Sequence, residues 1–298
     1  MSESDAKQQA QVLFQQAMAL EGVDDHEALR LYHQSLALDP AQPDALYNIG
    51  LIHKYRGAWA ESLDFNRRAI ELRPDDEASN WNLAIAATAL CDWAVARATW
   101  QRLGIEMPAG DGPIESNFGM TPVRLNPDDD GEVVWGRRIC PVRVRISNVP
   151  YPSSGFRHGD IVLNDGAPTG SRTWNGREYD VFNVLQLHTP SRLTTFELDV
   201  EVASAGDIEA LDALLSAEGG SVQDWTATVR VLCKACSEGT PHEHHDQDGE
   251  PDHRWHAERG LGVAAISEAQ VQEALARWAS PTRRVLRVEA ALTPPDSH

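Results

Sequence analysis

The sequence predicts an all-α repeat domain followed by an α+β part, and three observations carry that prediction. Proline recurs at Pro40, Pro74 and Pro108, each 34 residues from the last. From about residue 136, apolar and polar residues alternate with the period of a half-buried strand. Beyond residue 193, strand-like and helix-like stretches succeed one another. With 298 residues, 42% of them hydrophobic, the chain can build two domains or three small ones.

The repeat comes first. Several columns keep the 34-residue spacing: Ala28, Ser62 and Ala96; Gly50 and Ala84; Trp59 and Trp93; Asn48 and Asn82; Tyr32, Asn66 and Trp100. Two antiparallel helices approach closely only where small residues meet. Gly50 and Ala84 serve one side of that crossing, Ser62 and Ala96 the other. Gly57 suits the turn between helices because glycine tolerates a positive φ. Cys91 occupies that place 34 residues on, which predicts a different or strained turn. Each proline stops a second helix, since it cannot continue the hydrogen-bond ladder.

On these columns residues 45–74 resemble a tetratricopeptide repeat, 78–108 a looser copy, and 12–40 a third copy whose first helix or turn is one residue out of step. The resemblance covers residues 9–108 and implies a solenoid of three repeats. It also implies a concave groove, lined by the first helices, that holds an extended peptide or a helix of a partner. Asn48 and Asn82 fall where such repeats place an asparagine that bonds peptide backbone; Tyr47, Lys54 and Trp81 complete the candidate partner-binding set. The alternative is that both asparagines satisfy neighbouring helices. Three repeats are near the minimum for a stable stack. Residues 109–135, with Gly, Pro and the acidic run Asp128–Asp130, read as a linker. The open end of the third repeat should therefore be covered by the second domain or, in a homodimer, by a second copy of the chain.

Residues 136–192 read as a small antiparallel β unit. Val142, Val144 and Ile146 alternate with Arg143 and Arg145, which should face out. Asp165–Gly166 and Asn175–Gly176 are hairpin turn signals. Residues 193–292 read as an α+β domain: a strand at 194–204, a helix at 205–219, strands at 224–233 and 262–266, a helix capped by Ser267 with Gln270 in capping-box position, and a strand at 283–292. That order is βαββαβ, the order of the ferredoxin-like split motif, interrupted by a metal-binding loop.

The loop, residues 233–256, holds Cys233 and Cys236 in a C-x2-C pair, then His242, His244, His245, His253 and His256. Two thiolates on a tight knuckle and two imidazoles from the following loop would complete a tetrahedral structural zinc site. His245 and His256 are the preferred ligands, with His244, His253 and His242 as alternates. A loop rich in Gly, Pro and charge has little to bury, so a metal would give it a reason to be ordered. Adventitious metal binding and a redox dithiol are the rival readings of the same cluster.

The formal net charge is -19, and both halves of the chain are acidic. On average this field repels nucleic acid and anionic membranes and suits a basic partner, although it also serves solubility alone. Three lysines (Lys7, Lys54 and Lys234) among 26 basic residues point to a GC-rich bacterial genome. A polar start and the lack of a long apolar run predict a cytoplasmic protein without a membrane span. No phosphate-cradling glycine loop or G-x-S-x-G elbow is present, and His158 with Asp160 reads as a solvated turn. The expectation is therefore a non-enzymatic scaffold or adaptor that binds proteins. The rival is a bacterial immunity or antitoxin protein that occludes a basic toxin.

Overall fold

The computed structural model describes residues 2–129, 131–226 and 255–295. The chain forms two compact units, Met1–Glu115 and Ser116–His298.

The first unit is a helical repeat of six helices: α1 (Glu3–Met18), α2 (Asp25–Leu38), α3 (Pro43–Tyr55), α4 (Trp59–Leu72), α5 (Glu77–Ala89) and α6 (Trp93–Arg102). They pack as successive pairs, α1 on α2, α3 on α4, α5 on α6, with α4 also against α5. Local chemistry starts most of these helices. The carboxylates of Asp24, Asp76 and Asp92 accept the backbone N–H groups of Glu27, Ser79 and Val95, and Pro43 opens α3 where its missing N–H costs nothing. Leu31, Tyr32, Leu46 and Ile49 fill the core with Ala17, Ala28, Ala45 and Ala69 at the close approaches. The small-residue crossing is real at α3–α4. Ser62 Oγ donates to the Gly50 carbonyl at 2.9 Å, and a Cβ on Gly50 would land on the Asn66 amide.

The turn at Cys91 is of the same type as that at Gly57, contrary to one of the two expectations. Gly57 has φ 67° and Cys91 φ 58°. Gly57 N donates to Lys54 O as Cys91 N does to Thr88 O, and Ala58 N donates to His53 O as Asp92 N does to Ala87 O. The strain alternative holds: a side chain sits where glycine is preferred. In the first pair the positive φ falls on Gly22. That is one residue ahead of the 34-residue column. Beyond α6, Arg97 ties the chain back by donating to the carbonyls of Pro108 (3.1 Å) and Gly112 (2.6 Å).

The second unit begins with a closed five-stranded barrel of β1 (Met120–Leu125), β2 (Glu132–Cys140), β3 (Arg143–Ile146), β4 (Ile161–Trp174) and β5 (Arg177–Thr189). An odd number of strands joined in meander order must close parallel, and β1 pairs with β5 parallel at Val123–Phe182 and Arg124–Asn183. Residues 109–135, expected as a linker, thus supply β1 and the start of β2. Val123, Leu125, Val134, Val144, Ile146, Val162 and Val184 fill the barrel. Asn175 and Gly176, both at positive φ, make the two-residue β4–β5 hairpin turn expected of them. Asp165–Gly166 makes no hairpin. It lies inside β4, where the register slips between Asn164 and Pro168. Arg143 does not face water either: it is 2% exposed, and its Nε donates to Cys140 Sγ at 3.4 Å.

The chain continues through β6 (Thr194–Val202), α7 (Ala205–Ser216), β7 (Ser221–Asp224), β8 (Glu258–Ala265), α8 (Glu268–Trp278) and β9 (Arg283–Leu292). These strands form one antiparallel sheet in the order β7-β8-β6-β9. Strand β7 begins three residues before the stretch 224–233 in which it was expected. Phe196, Leu198 and Val200 of β6 pack with Ile208, Leu211 and Leu215 of α7 and Val271, Leu275 and Trp278 of α8. Ser267 Oγ accepts Gln270 N as expected, but the Gln270 side chain does not close a simple box. It accepts Ile266 N at 2.8 Å and donates to Glu218 O, pinning α8 to the end of α7.

Barrel and sheet are joined by polar contacts. Asn148 Nδ2 and Val149 N donate to Gln223 Oε1, Trp225 Nε1 donates to Val149 O, and Tyr151 OH donates to Trp225 O. Asp160, read from the sequence with His158 as a solvated turn, is 0% exposed, and its neighbour Arg157 is 3% exposed. Asp160 accepts N–H groups from Arg157 and Ser191, and Arg157 Nη1 donates to Thr293 O at the end of β9.

Candidate functional site

The partner-binding residues expected in the repeat lie on α3 and α5, which pack against each other. Tyr47 and Asn48 are half-buried. Asn48 Nδ2 donates to Tyr32 OH at 2.7 Å, and Tyr32 OH donates in turn to Glu21. Burial, then the neighbouring Glu21 carboxylate, push the Tyr32 phenol far above its ordinary range, so it stays a neutral donor. Asn48 thus gives one N–H to a neighbouring helix. This relay was not read from the sequence, although the Tyr32 column was the available signal.

Asn82, 34 residues on, differs. It is 5% exposed, and its Nδ2 has no hydrogen-bond partner among the described residues. The Tyr32 column carries Asn66 and Trp100 in the following repeats, so no phenol waits for it. Trp81 packs edge-on against Trp100 with centroids 4.9 Å apart. Lys54 is 4% exposed, with its ammonium 4.3 Å from the Tyr55 ring centroid. It is packed within the repeat and offers no exposed cation to a ligand.

Of the expected zinc ligands, Cys233, Cys236, His242, His244, His245 and His253 lie outside the described residues. His256 is exposed, and its carbonyl accepts Arg259 Nε at 3.0 Å. Trp255 beside it packs: Nε1 donates to Val202 O and the Arg259 guanidinium lies 4.0 Å from its ring centroid.

The second unit also holds a cleft of about 710 Å³ lined by Asn126, Asp128, Asp129, Glu132, Tyr151 and two serines. Glu132 is buried and accepts Tyr151 N at 3.0 Å, which orients the wall where barrel and sheet meet. No helix among the described residues is long and apolar enough to cross a membrane.

The repeat has a counterpart among known proteins. The chain is similar to the Photosystem I assembly protein Ycf3 of Acaryochloris marina (strain MBIC 11017). The two are 35% identical over 96 residues of the N-terminal region. The match takes in 26% of this chain and spans 58% of that protein's length. No protein-family model matches the chain. The similarity and the six paired helices agree on a tetratricopeptide-type repeat in the first unit.

Proposed function

We propose that this chain is a non-enzymatic adaptor that binds another protein, taking an extended peptide or a helix of its partner along α3 and α5. The similarity to an assembly protein supports a protein partner. The observation that carries the residue-level reading is the contrast between the two asparagines. Asn48 Nδ2 donates to Tyr32 OH, whereas Asn82 Nδ2 is buried without a partner among the described residues. An unmade hydrogen bond of that kind costs about 1–3 kcal/mol, which a peptide carbonyl would recover only if binding uncovers the donor. Affinity purification of the full chain from its native host, read by mass spectrometry, tests this. A small set of partners should be recovered with the unaltered chain and lost with Asn82→Ala. Recovery of no partner, or partners unaffected by Asn82→Ala, would defeat the proposal.

Residues 193–292 of the second unit are read as a ferredoxin-like split motif. Its support is the order β7-β8-β6-β9, antiparallel throughout. A structural zinc held by Cys233 and Cys236 with two of the loop histidines, His245 and His256 first, is proposed to stabilise it. Elemental analysis should find about one zinc per chain, and a chelator should lower the melting temperature. A metal-free protein with an unchanged melting temperature would refute the site.

A further inference from the structure

The β4–β5 hairpin carries an aromatic and arginine surface that the repeat does not explain. Residues directly opposite in an antiparallel pair share a face, as do residues two apart on a strand. Arg172 lies opposite Tyr179, and Trp174 opposite Arg177. These four therefore share one face, while Ser171, Thr173, Glu178 and Asp180 take the other. Trp135 of β2 joins the first face. Its ring lies 5.6 Å from Trp174 and 5.0 Å from Tyr179. The Arg177 guanidinium is 5.1 Å from the Tyr179 centroid. Arg137, two residues beyond Trp135 and exposed, extends the set. Trp174 is 51% exposed even so.

The signs are segregated: on the hairpin, arginines and rings share one face and carboxylates the reverse. An acidic peptide would use the arginines and leave the rings idle. A neutral sugar would stack on a ring but needs the polar acceptors, which lie on the far side. Flat bases joined by phosphates use both. A duplex keeps its bases stacked on one another and offers the rings nothing.

We propose that this face of the barrel binds single-stranded nucleic acid, bases stacking on Trp174 and its neighbours and phosphates meeting Arg137, Arg172 and Arg177. The net charge of -19 opposes such binding only as an average over the chain. The local surface has the opposite sign, and contact energies act within about one Debye length. This site is independent of the repeat, so failure of one proposal leaves the other standing.

The test is fluorescence anisotropy of the full chain with labelled oligothymidylate and, separately, oligouridylate of about 20 nucleotides, longer than one small barrel occupies. Both should bind at low salt, with any preference between them naming the favoured sugar. For three phosphate contacts the affinity should fall with a log–log salt slope of about 2. Trp174→Ala should weaken binding about tenfold or more. Arg177→Glu should weaken it and flatten the salt slope, while Thr173→Ala on the reverse face should leave it unchanged. The melting temperature of each variant checks the fold, and the exposed Arg177 position carries the test if Trp174→Ala does not fold. No binding of either oligonucleotide overturns the proposal. So do equal binding of polyglutamate or of a duplex, and unchanged affinity in folded Trp174→Ala or Arg177→Glu.

Discussion

Replacing Cys91 by glycine should stabilise the repeat. Cys91 occupies the left-handed region with φ 58°, in the place where the preceding repeat has Gly57 at φ 67°. An L-residue there costs about 1–2 kcal/mol. Glycine removes that strain and gives back about 0.5–1 kcal/mol through the greater freedom of the unfolded chain. The net gain is about 0.5–1 kcal/mol, a rise of about 2–8 °C in the melting temperature of a unit this size. Cys91→Ala keeps the strained backbone and should leave stability near its starting value. Gly57→Ala supplies the converse. Its new Cβ would find no heavy atom closer than Trp59 Nε1 at 3.9 Å, so its cost of about 1 kcal/mol would be conformational. Thermal unfolding of the full chain, with hydrogen exchange of the α5 and α6 amides, measures all three. If Cys91→Gly gains nothing and Gly57→Ala costs nothing, the turn carries no strain and the reasoning fails.

Gly50→Ala should cost about 1–3 kcal/mol, because the new Cβ meets the Asn66 amide at the α3–α4 crossing; denaturant unfolding reads it. Asp160→Asn, or Arg157→Met, should cost about 3–5 kcal/mol by leaving one member of a buried pair behind. Replacing both together with apolar residues should cost less than either alone, and a double-mutant cycle shows whether it does. Burial holds the imidazoles of His158 and His53 below their ordinary value of 6.5. Their contribution is thus complete above that pH and declines as the pH falls from there through their folded values. Melting temperature should drop between neutral pH and about pH 5, and less so in His158→Gln; an identical profile would remove His158 as a cause.

Burial of polar side chains was the main thing misread from the sequence. Arg143 alternates with valines as an outward residue should, yet closure of the barrel covers it. Lys54 falls on a helix face expected to be open, yet it packs beside Tyr55. Arg157 and Asp160 sit in a turn-rich stretch that looks solvated, and their partners, Ser191 and Thr293, are 31 and 136 residues away. No local pattern reports such distant contacts. The barrel's first strand escaped notice for a similar reason. Met120–Leu125 contains Pro122 and follows Gly-rich sequence, and only its pairing with β2 and β5 makes it a strand.

The sequence by itself determined the repeat and the Asn175–Gly176 turn, because each arises from contacts within a few residues or from an interval repeated along the chain. It also located β6, α7, α8 and β9 to within a few residues through their periodicity. The tertiary structure alone showed that one of two equivalent asparagines keeps an unmet donor, since whether a side chain reaches it is settled by geometry across two helices. It alone gathered Trp135, Trp174 and Tyr179, separated by up to 44 residues, into one cluster. Register across a barrel sets that, and register is a property of strands meeting in space.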